Sequence, residues 1–137
     1  MGRILAVDDE PDMLTLIKMI VEGYSDHQVT TTNNPMEVAE LLTKERFDLI
    51  ITDLKMPGMD GMELLGLAKK YDKDVLILMV TAFGSLESAE EAVAKGAFDY
   101  ISKPFRKEQL LLAIDKAMRW REMALQIKEL EGKLEKA

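Results

Sequence analysis

The sequence predicts an α/β fold: a doubly wound parallel sheet of five strands, helices on both faces, and an extended C-terminal helix. Three observations predict it. Five short apolar or β-branched runs alternate with segments of helical period and comparable length, which calls for parallel strands joined by crossover helices. One run, Val75-Leu76-Ile77-Leu78-Met79-Val80, is continuously apolar, as expected of a strand covered on both faces. Polar residues suited to chemistry stand where the runs finish: Asp8 and Asp9, Asp53, Thr81 and Lys103.

The first run, Arg3-Ile4-Leu5-Ala6-Val7, stops at Asp8-Asp9-Glu10. Pro11 suits the first turn of the helix that follows, whose face is expected to carry Met13, Leu16, Ile17 and Ile20. Gln28-Val29-Thr30-Thr31-Thr32 reads as the second strand. Asn34-Pro35 opens a helix with Val38, Leu41 and Leu42 inward. Leu49-Ile50-Ile51 runs into Asp53, and Pro57, Gly58 and Gly61 force a turn there. A helix with Leu64, Leu65, Leu67 and Ala68 comes next, then the fourth strand. The segment from Ser85 to Gly96 has a capping Ser, early acids, a late Lys95 and a terminal Gly96. Its inward stripe is only Leu86, Ala89 and Val93, so it is expected to be weakly held. Phe98-Asp99-Tyr100-Ile101-Ser102 is the fifth strand, and a long helix starts near Lys107.

Composition narrows the function. The chain has 137 residues, a formal net charge of −7 and no cysteine. The acidic balance argues against direct nucleic-acid binding, which needs a basic face, and is compatible with cations. Without cysteine there are no disulfides, thiolate metal sites or thiol nucleophiles, in keeping with a reducing compartment. The longest apolar run is too short to span a membrane, and a cytoplasmic location is expected. The glycines form neither a dinucleotide fingerprint nor a phosphate-binding loop. The lone His27 is expected at the surface, and the ten methionines in packing.

In an open parallel sheet the strand ends share one edge, and ligands bind where the strand order reverses. In the flavodoxin-like order, 2-1-3-4-5, that point lies between strands one and three, so Asp8, Asp9 and Asp53 would converge. Clustered carboxylates cannot all remain ionised uncompensated: either one keeps a proton or a cation sits among them. Oxygen donors select a hard ion, Mg²⁺ or Mn²⁺. Lys103 could meet a phosphate as a point charge, Thr81 could donate a hydroxyl hydrogen bond, and an aspartate can itself accept a phosphoryl group.

These motifs together resemble the receiver domain of bacterial two-component response regulators: Val7-Asp8-Asp9-Glu10, Asp53 with Met56-Pro57-Gly58-Met59-Asp60-Gly61, Thr81-Ala82, and Tyr100-Ile101-Ser102-Lys103-Pro104-Phe105. The resemblance covers about residues 3–118. It implies that Asp53 is the phosphoacceptor, served by a sensor histidine kinase. It implies Mg²⁺ held by Asp9 and Asp53 directly, by Asp8 through water and by the Lys55 carbonyl. Thr81 and Lys103 would bind phosphoryl oxygens, Tyr100 would turn inward as Thr81 moves, and the Lys103–Pro104 bond would be cis. Lys55 and Phe83 occupy positions that tune dephosphorylation in this family.

The wording Thr81-Ala82-Phe83-Gly84-Ser85 and Lys95-Gly96-Ala97-Phe98-Asp99-Tyr100 further resembles NtrC-type activators of the sigma-54 polymerase. There a receiver leads through a helical linker into ATPase and DNA-binding domains, which are not in this chain. Residues 1–119 are accordingly expected to be a receiver and 120–137 a helical linker. Trp120, Met123, Ile127, Leu130 and Leu134 alternate spacings of three and four, a coiled-coil seam. A homodimer through it, and through the face of the fourth helix, fifth strand and last helix, is expected. The competing readings are a free-standing receiver acting as a phosphate shuttle or binding switch, and a Mg²⁺-dependent phosphatase on a similar fold.

Overall fold

A computed structural model describes residues 2–82 and 86–136. In chain order it contains β1 (Arg3–Val7), α1 (Pro11–Tyr24), β2 (Gln28–Thr32), a 3-10 turn (Pro35–Glu37) running into α2 (Val38–Lys44), and β3 (Leu49–Thr52). Then follow α3 (Gly61–Tyr71), β4 (Leu76–Thr81), α4 (Leu86–Ala94), β5 (Asp99–Ser102) and α5 (Lys107–Lys136). The strands are parallel, in the order β2-β1-β3-β4-β5. This is the expected flavodoxin-like architecture, and the Lys103–Pro104 peptide is cis.

Side chains alternate across each strand, so the sheet divides the core in two. Ile4, Ala6, Leu49, Ile51, Leu78 and Val80 face α1 and α5, meeting Leu14, Ile17, Leu110 and Ile114. Leu5, Val7, Ile50, Ile77 and Met79 face α2, α3 and α4, meeting Val38, Leu64, Leu65 and Ala92. Each of the larger of these side chains, the Leu, Ile, Val and Met, contributes about 1.5–3 kcal/mol on removal from water. Both layers leave one edge of the sheet, at the strand C-termini, to polar residues.

Two helices differ from expectation in rotation. The buried residues of α1 are Leu14, Ile17 and Val21; of the other expected residues Met13 and Ile20 are partly buried against the same core, whereas Leu16 is 44% exposed. Apolar residues lie on more than one stripe of this helix, so periodicity alone leaves its rotation open; docking onto the sheet beside α5 centres it on Ile17. In α4 the buried residue among the described side chains is Ala92, Val93 is 51% exposed, and the Leu86 side chain lies outside the described residues. The helix closes as expected at Gly96 (φ +114°), with Ala97 N–H donating to the Ala92 carbonyl and Gly96 N–H to that of Val93. The expected Ser85 cap, and Phe83, lie outside the described residues.

His27 is a further correction. It is half-buried, and its Nδ1 accepts a hydrogen bond from the Gly2 backbone N–H at 2.8 Å, which ties the chain start to the head of β2.

The last helix runs unbroken for 30 residues. Its first part is core, through Leu110, Ala113, Ile114 and Ala117; the part beyond Arg121 extends about 22 Å further. Trp120, Met123, Ile127, Leu130 and Leu134 are 52–76% exposed. This stripe therefore does not fold back onto its own domain. The Trp120 ring lies 6.4 Å from that of Phe98, and Lys133 pairs with Glu129 at 3.5 Å. Lys128 reaches back to Asp74 at 2.8 Å and holds its carboxyl below the usual aspartate range, chiefly through that hydrogen bond. A depressed folded-state pKa stabilises above the unfolded value and loses that contribution as pH falls through the folded value. Asp74 is accordingly expected to titrate below 3.8 in an NMR pH series, and Lys128→Met to return it towards the ordinary value.

Candidate functional site

The register of the sheet builds the site. Val7 is level with Thr32 and Thr52, so the next residues of β1 and β3, Asp8 and Asp53, emerge side by side. Asp53 N–H donates to the Val7 carbonyl at 3.2 Å, and Asp8 N–H to that of Thr32 at 3.3 Å. One strand pair further on, Thr81 is level with Ser102, and Lys103 N–H donates to the Thr81 carbonyl at 2.9 Å. The strand ends thus fix four backbones that carry two acids, a hydroxyl and an amine onto one edge.

Asp8 and Asp53 are almost fully buried, at 2% and 3% exposure. Lys103 spans them: its Nζ donates to Asp8 Oδ2 at 2.7 Å and to Asp53 Oδ2 at 3.0 Å. Glu10 Oε1 is 4.0 Å from the same ammonium. Asp8 Oδ1 also accepts from the Glu10 N–H at 2.9 Å, and Asp53 Oδ1 from the Lys55 N–H at 3.4 Å. Burial pushes the Asp8 carboxyl above its ordinary value, against the lowering effect of Lys103 and the Glu10 N–H, while the Asp53 charge adds a smaller push upward. Burial works against the Lys103 ammonium, yet its hydrogen bonds to Asp8 and Asp53 prevail and raise its pKa.

One oxygen each from Asp8, Asp9, Glu10 and Asp53 lies within 4.8 Å of the others. Four carboxylates against one ammonium leave an excess of negative charge, and every donor is a hard oxygen. Asp9 and Glu10 are exposed while Asp8 and Asp53 are buried, so the cluster opens to solvent on one side, where a hydrated ion could keep its waters. The donor set fits Mg²⁺. Glu10 was not among the metal-ligand expectations; its signal in the sequence is only its place in the acid run after β1.

The other expected residues are close by. Thr81 is fully buried at the end of β4. Tyr100 packs against the cluster under α2, α3 and α4, and its buried hydroxyl has no hydrogen-bond partner among the described residues. Burial raises the pKa of that hydroxyl, and the charge of Asp53 adds to the effect. Lys55 is exposed and approaches Asp53 through its backbone.

The loop after Asp53 depends on a glycine. A Cβ at Gly61 would lie 2.5 Å from the Asp53 carbonyl oxygen and 3.0 Å from Leu54 Cα, both backbone atoms that cannot swing aside. Gly61 N–H also donates to the Leu54 carbonyl at 2.7 Å, and Asp60 and Glu63 close a capping box around the start of α3. Gly61→Ala is expected to lower stability by about 2 kcal/mol, read as an earlier urea midpoint, and to displace Asp53 from Lys103.

Residues 4–115 match the family described as "Response regulator receiver domain". The chain is 37% identical over 132 residues to the transcriptional regulatory protein GlrR of Escherichia coli (strain K12), covering 88% of this chain but 29% of GlrR. It is 34% identical over 116 residues to sporulation initiation phosphotransferase F of Bacillus subtilis (strain 168), covering 83% of this chain and 91% of that protein. The solution structure of the beryllofluoride-activated NtrC4 receiver domain dimer superposes with a TM-score of 0.83 at 30% identity, covering 88% of this chain and 99% of that one. Five parallel strands in the order 2-1-3-4-5, an acid-lined edge at their ends and a family match over most of its length place this chain among the response regulator receiver domains, with NtrC-type regulators among its relatives.

Proposed function

We propose that Asp53 takes a phosphoryl group from the phosphohistidine of a sensor kinase in the presence of Mg²⁺, and that the aspartyl phosphate switches the surface of α4, β5 and α5. The observation that carries this reading is the pair of buried carboxylates, Asp8 and Asp53, joined through Lys103 inside a solvent-facing acid cluster. An Asp53 oxygen forms the new bond to phosphorus as the bond to the imidazole nitrogen breaks, and the electron pair leaves with the imidazole. Asp8, Asp9 and Asp53, with the Lys55 carbonyl, would hold the ion. Mg²⁺, when bound, supplies neutralisation of the charge on the phosphoryl oxygens.

Lys103 then exchanges a carboxylate oxygen of Asp53 for a phosphoryl oxygen, and the Thr81 hydroxyl donates to another. That contact differs between the two states, as any ligand-driven shift requires. Thr81 moves towards the phosphoryl group and Tyr100 occupies the space beside it. Hydrolysis of the acyl phosphate resets the switch, so the chain turns over only its own phosphoryl group.

NtrC-type relatives favour an output in transcription. The chain spans about three-tenths of GlrR, and in this reading residues 1–119 are the receiver and 120–137 the linker towards ATPase and DNA-binding domains that activate sigma-54 promoters from the cytoplasm. The partners are the kinase and a second copy of the chain, paired through the α5 seam and the α4-β5-α5 face. One observation favours a second reading, a free-standing receiver that passes its phosphoryl group on: phosphotransferase F is almost spanned by this chain.

The test is incubation with acetyl phosphate, with and without Mg²⁺, followed by mass spectrometry. A base-labile, Mg²⁺-dependent phosphoryl adduct on Asp53 is the expected result. Steady turnover of a phosphoester without a retained adduct would identify a phosphatase instead.

A further inference from the structure

Beyond Ala117, Arg121 is the one buried residue of α5 among the described residues, and it is a charged one. Its Nε donates to Asp48 Oδ1 at 2.9 Å, its Nη1 donates to the Asp74 carbonyl, and its Nη2 lies 3.9 Å from Asp72 Oδ2. Asp48 belongs to the turn before β3, where it also accepts from the Arg3 N–H at 2.9 Å; Asp72 and Asp74 belong to the turn before β4. One guanidinium on the helix thus grips two loops at the N-terminal edge of the sheet, the edge opposite the acid cluster. Two turns on, Lys128 donates to both carboxylate oxygens of the same Asp74, at 2.9 and 2.8 Å.

The placement of these two cations on the helix gives the grip a direction. Seven residues apart, Arg121 and Lys128 share one stripe. At about 100° per residue that stripe lies roughly 130° around the helix from the centre of the seam of Trp120, Met123, Ile127, Leu130 and Leu134. The face that holds the domain and the face left apolar and exposed are therefore distinct, separated by more than a quarter of the helix circumference. Trp120, at the start of the seam, is steadied against Phe98.

We propose that Arg121 and Lys128 form a latch that locks the distal half of α5 to the loops before β3 and β4, fixing the direction in which the apolar seam is presented to a second copy of this chain. The occupant follows from the surface itself. The seam repeats at heptad spacing, is apolar along its length and carries a Glu129–Lys133 pair on its flank, features that suit an identical helix. With the latch closed, two chains meet seam to seam with both receivers outside. A bare turn of flexible chain would let the receiver rotate about the linker; a buried guanidinium with partners on two loops does not. Arg121 and Lys128 are positioning residues, distant from the phosphoryl site.

The inference builds on the dimer reading above, but its test reads a distance within one chain and needs neither phosphorylation nor dimerisation. The chain lacks cysteine, so spin labels can be placed through Lys70→Cys on α3 and Glu135→Cys near the end of α5, diluted with unlabelled protein. The parent is expected to give one narrow distance distribution. Arg121→Met is expected to broaden it at least twofold. Lys128→Glu, which repels Asp74 at a surface position and does not threaten folding, is expected to broaden it too, and Asp74→Lys combined with Lys128→Glu to narrow it again. A distribution as narrow as the parent's in Lys128→Glu, or no recovery in the swapped pair, overturns the latch, whatever the outcome of phosphorylation assays.

Discussion

Asp53→Asn is expected to reduce Mg²⁺-dependent labelling by acetyl phosphate, or by a cognate kinase, to background. Asparagine fills the same volume, so the strand end and the loop to Gly61 should keep their shape. What it loses is the anionic oxygen that, in the proposed function, forms the bond to phosphorus, and the adjacent residues are not expected to replace it. Asp8 is equally buried and shares Lys103 with Asp53, but its Oδ1 is held by the Glu10 N–H at 2.9 Å, and burial pushes its carboxyl above the ordinary value, towards the non-nucleophilic protonated form. Asp9 and Glu10 are exposed and lack the lysine contact at hydrogen-bond distance that Asp53 has. Normal labelling in this variant would end the phosphoacceptor reading, provided its thermal unfolding matches the parent's.

The second large effect concerns association. Ile127→Lys is expected to raise the dimer dissociation constant by about 100-fold or more. Burial of an isoleucine side chain is worth about 1.5–3 kcal/mol, and a twofold axis counts the loss in both chains. Since about 1.4 kcal/mol is a factor of ten, the loss spans two or more decades before the apposed lysines are counted. Ile127 is 56% exposed in the isolated chain, so its replacement should leave the stability of the receiver unchanged. Sedimentation of the parent and the variant over a concentration series measures this. Identical masses at every concentration would remove the seam as a dimer interface.

Much of this was legible from the residue order because strand ends are easy to read. A short apolar run that stops at a carboxylate, a threonine or a lysine announces both the strand and the edge where these groups gather, and the sheet brings Asp8, Asp53 and Lys103 within hydrogen-bond range through register alone. Helix rotation was less legible. Neighbouring apolar stripes in α1 compete, and in α4 an alanine, Ala92, is the buried one among the described side chains while the larger Val93 is left outside. Least legible were contacts that join distant parts of the chain. Nothing local marks Arg121 as buried, for its partners lie 73 and 47 positions away, and Gly61 shows its necessity only when the Asp53 carbonyl is seen against it.

The thin anchorage of α4 has a consequence for background signalling. Among its described side chains only Ala92 is buried, and a methyl group removed from water contributes about 1 kcal/mol. An element held so lightly is expected to sample displaced positions without any stimulus, because a gap of one or two kcal/mol leaves the minor arrangement at roughly 3–16%. If Asp53 is the switch proposed above, a measurable basal output and a low threshold are expected, with partial occupancy of Asp53 giving a graded response.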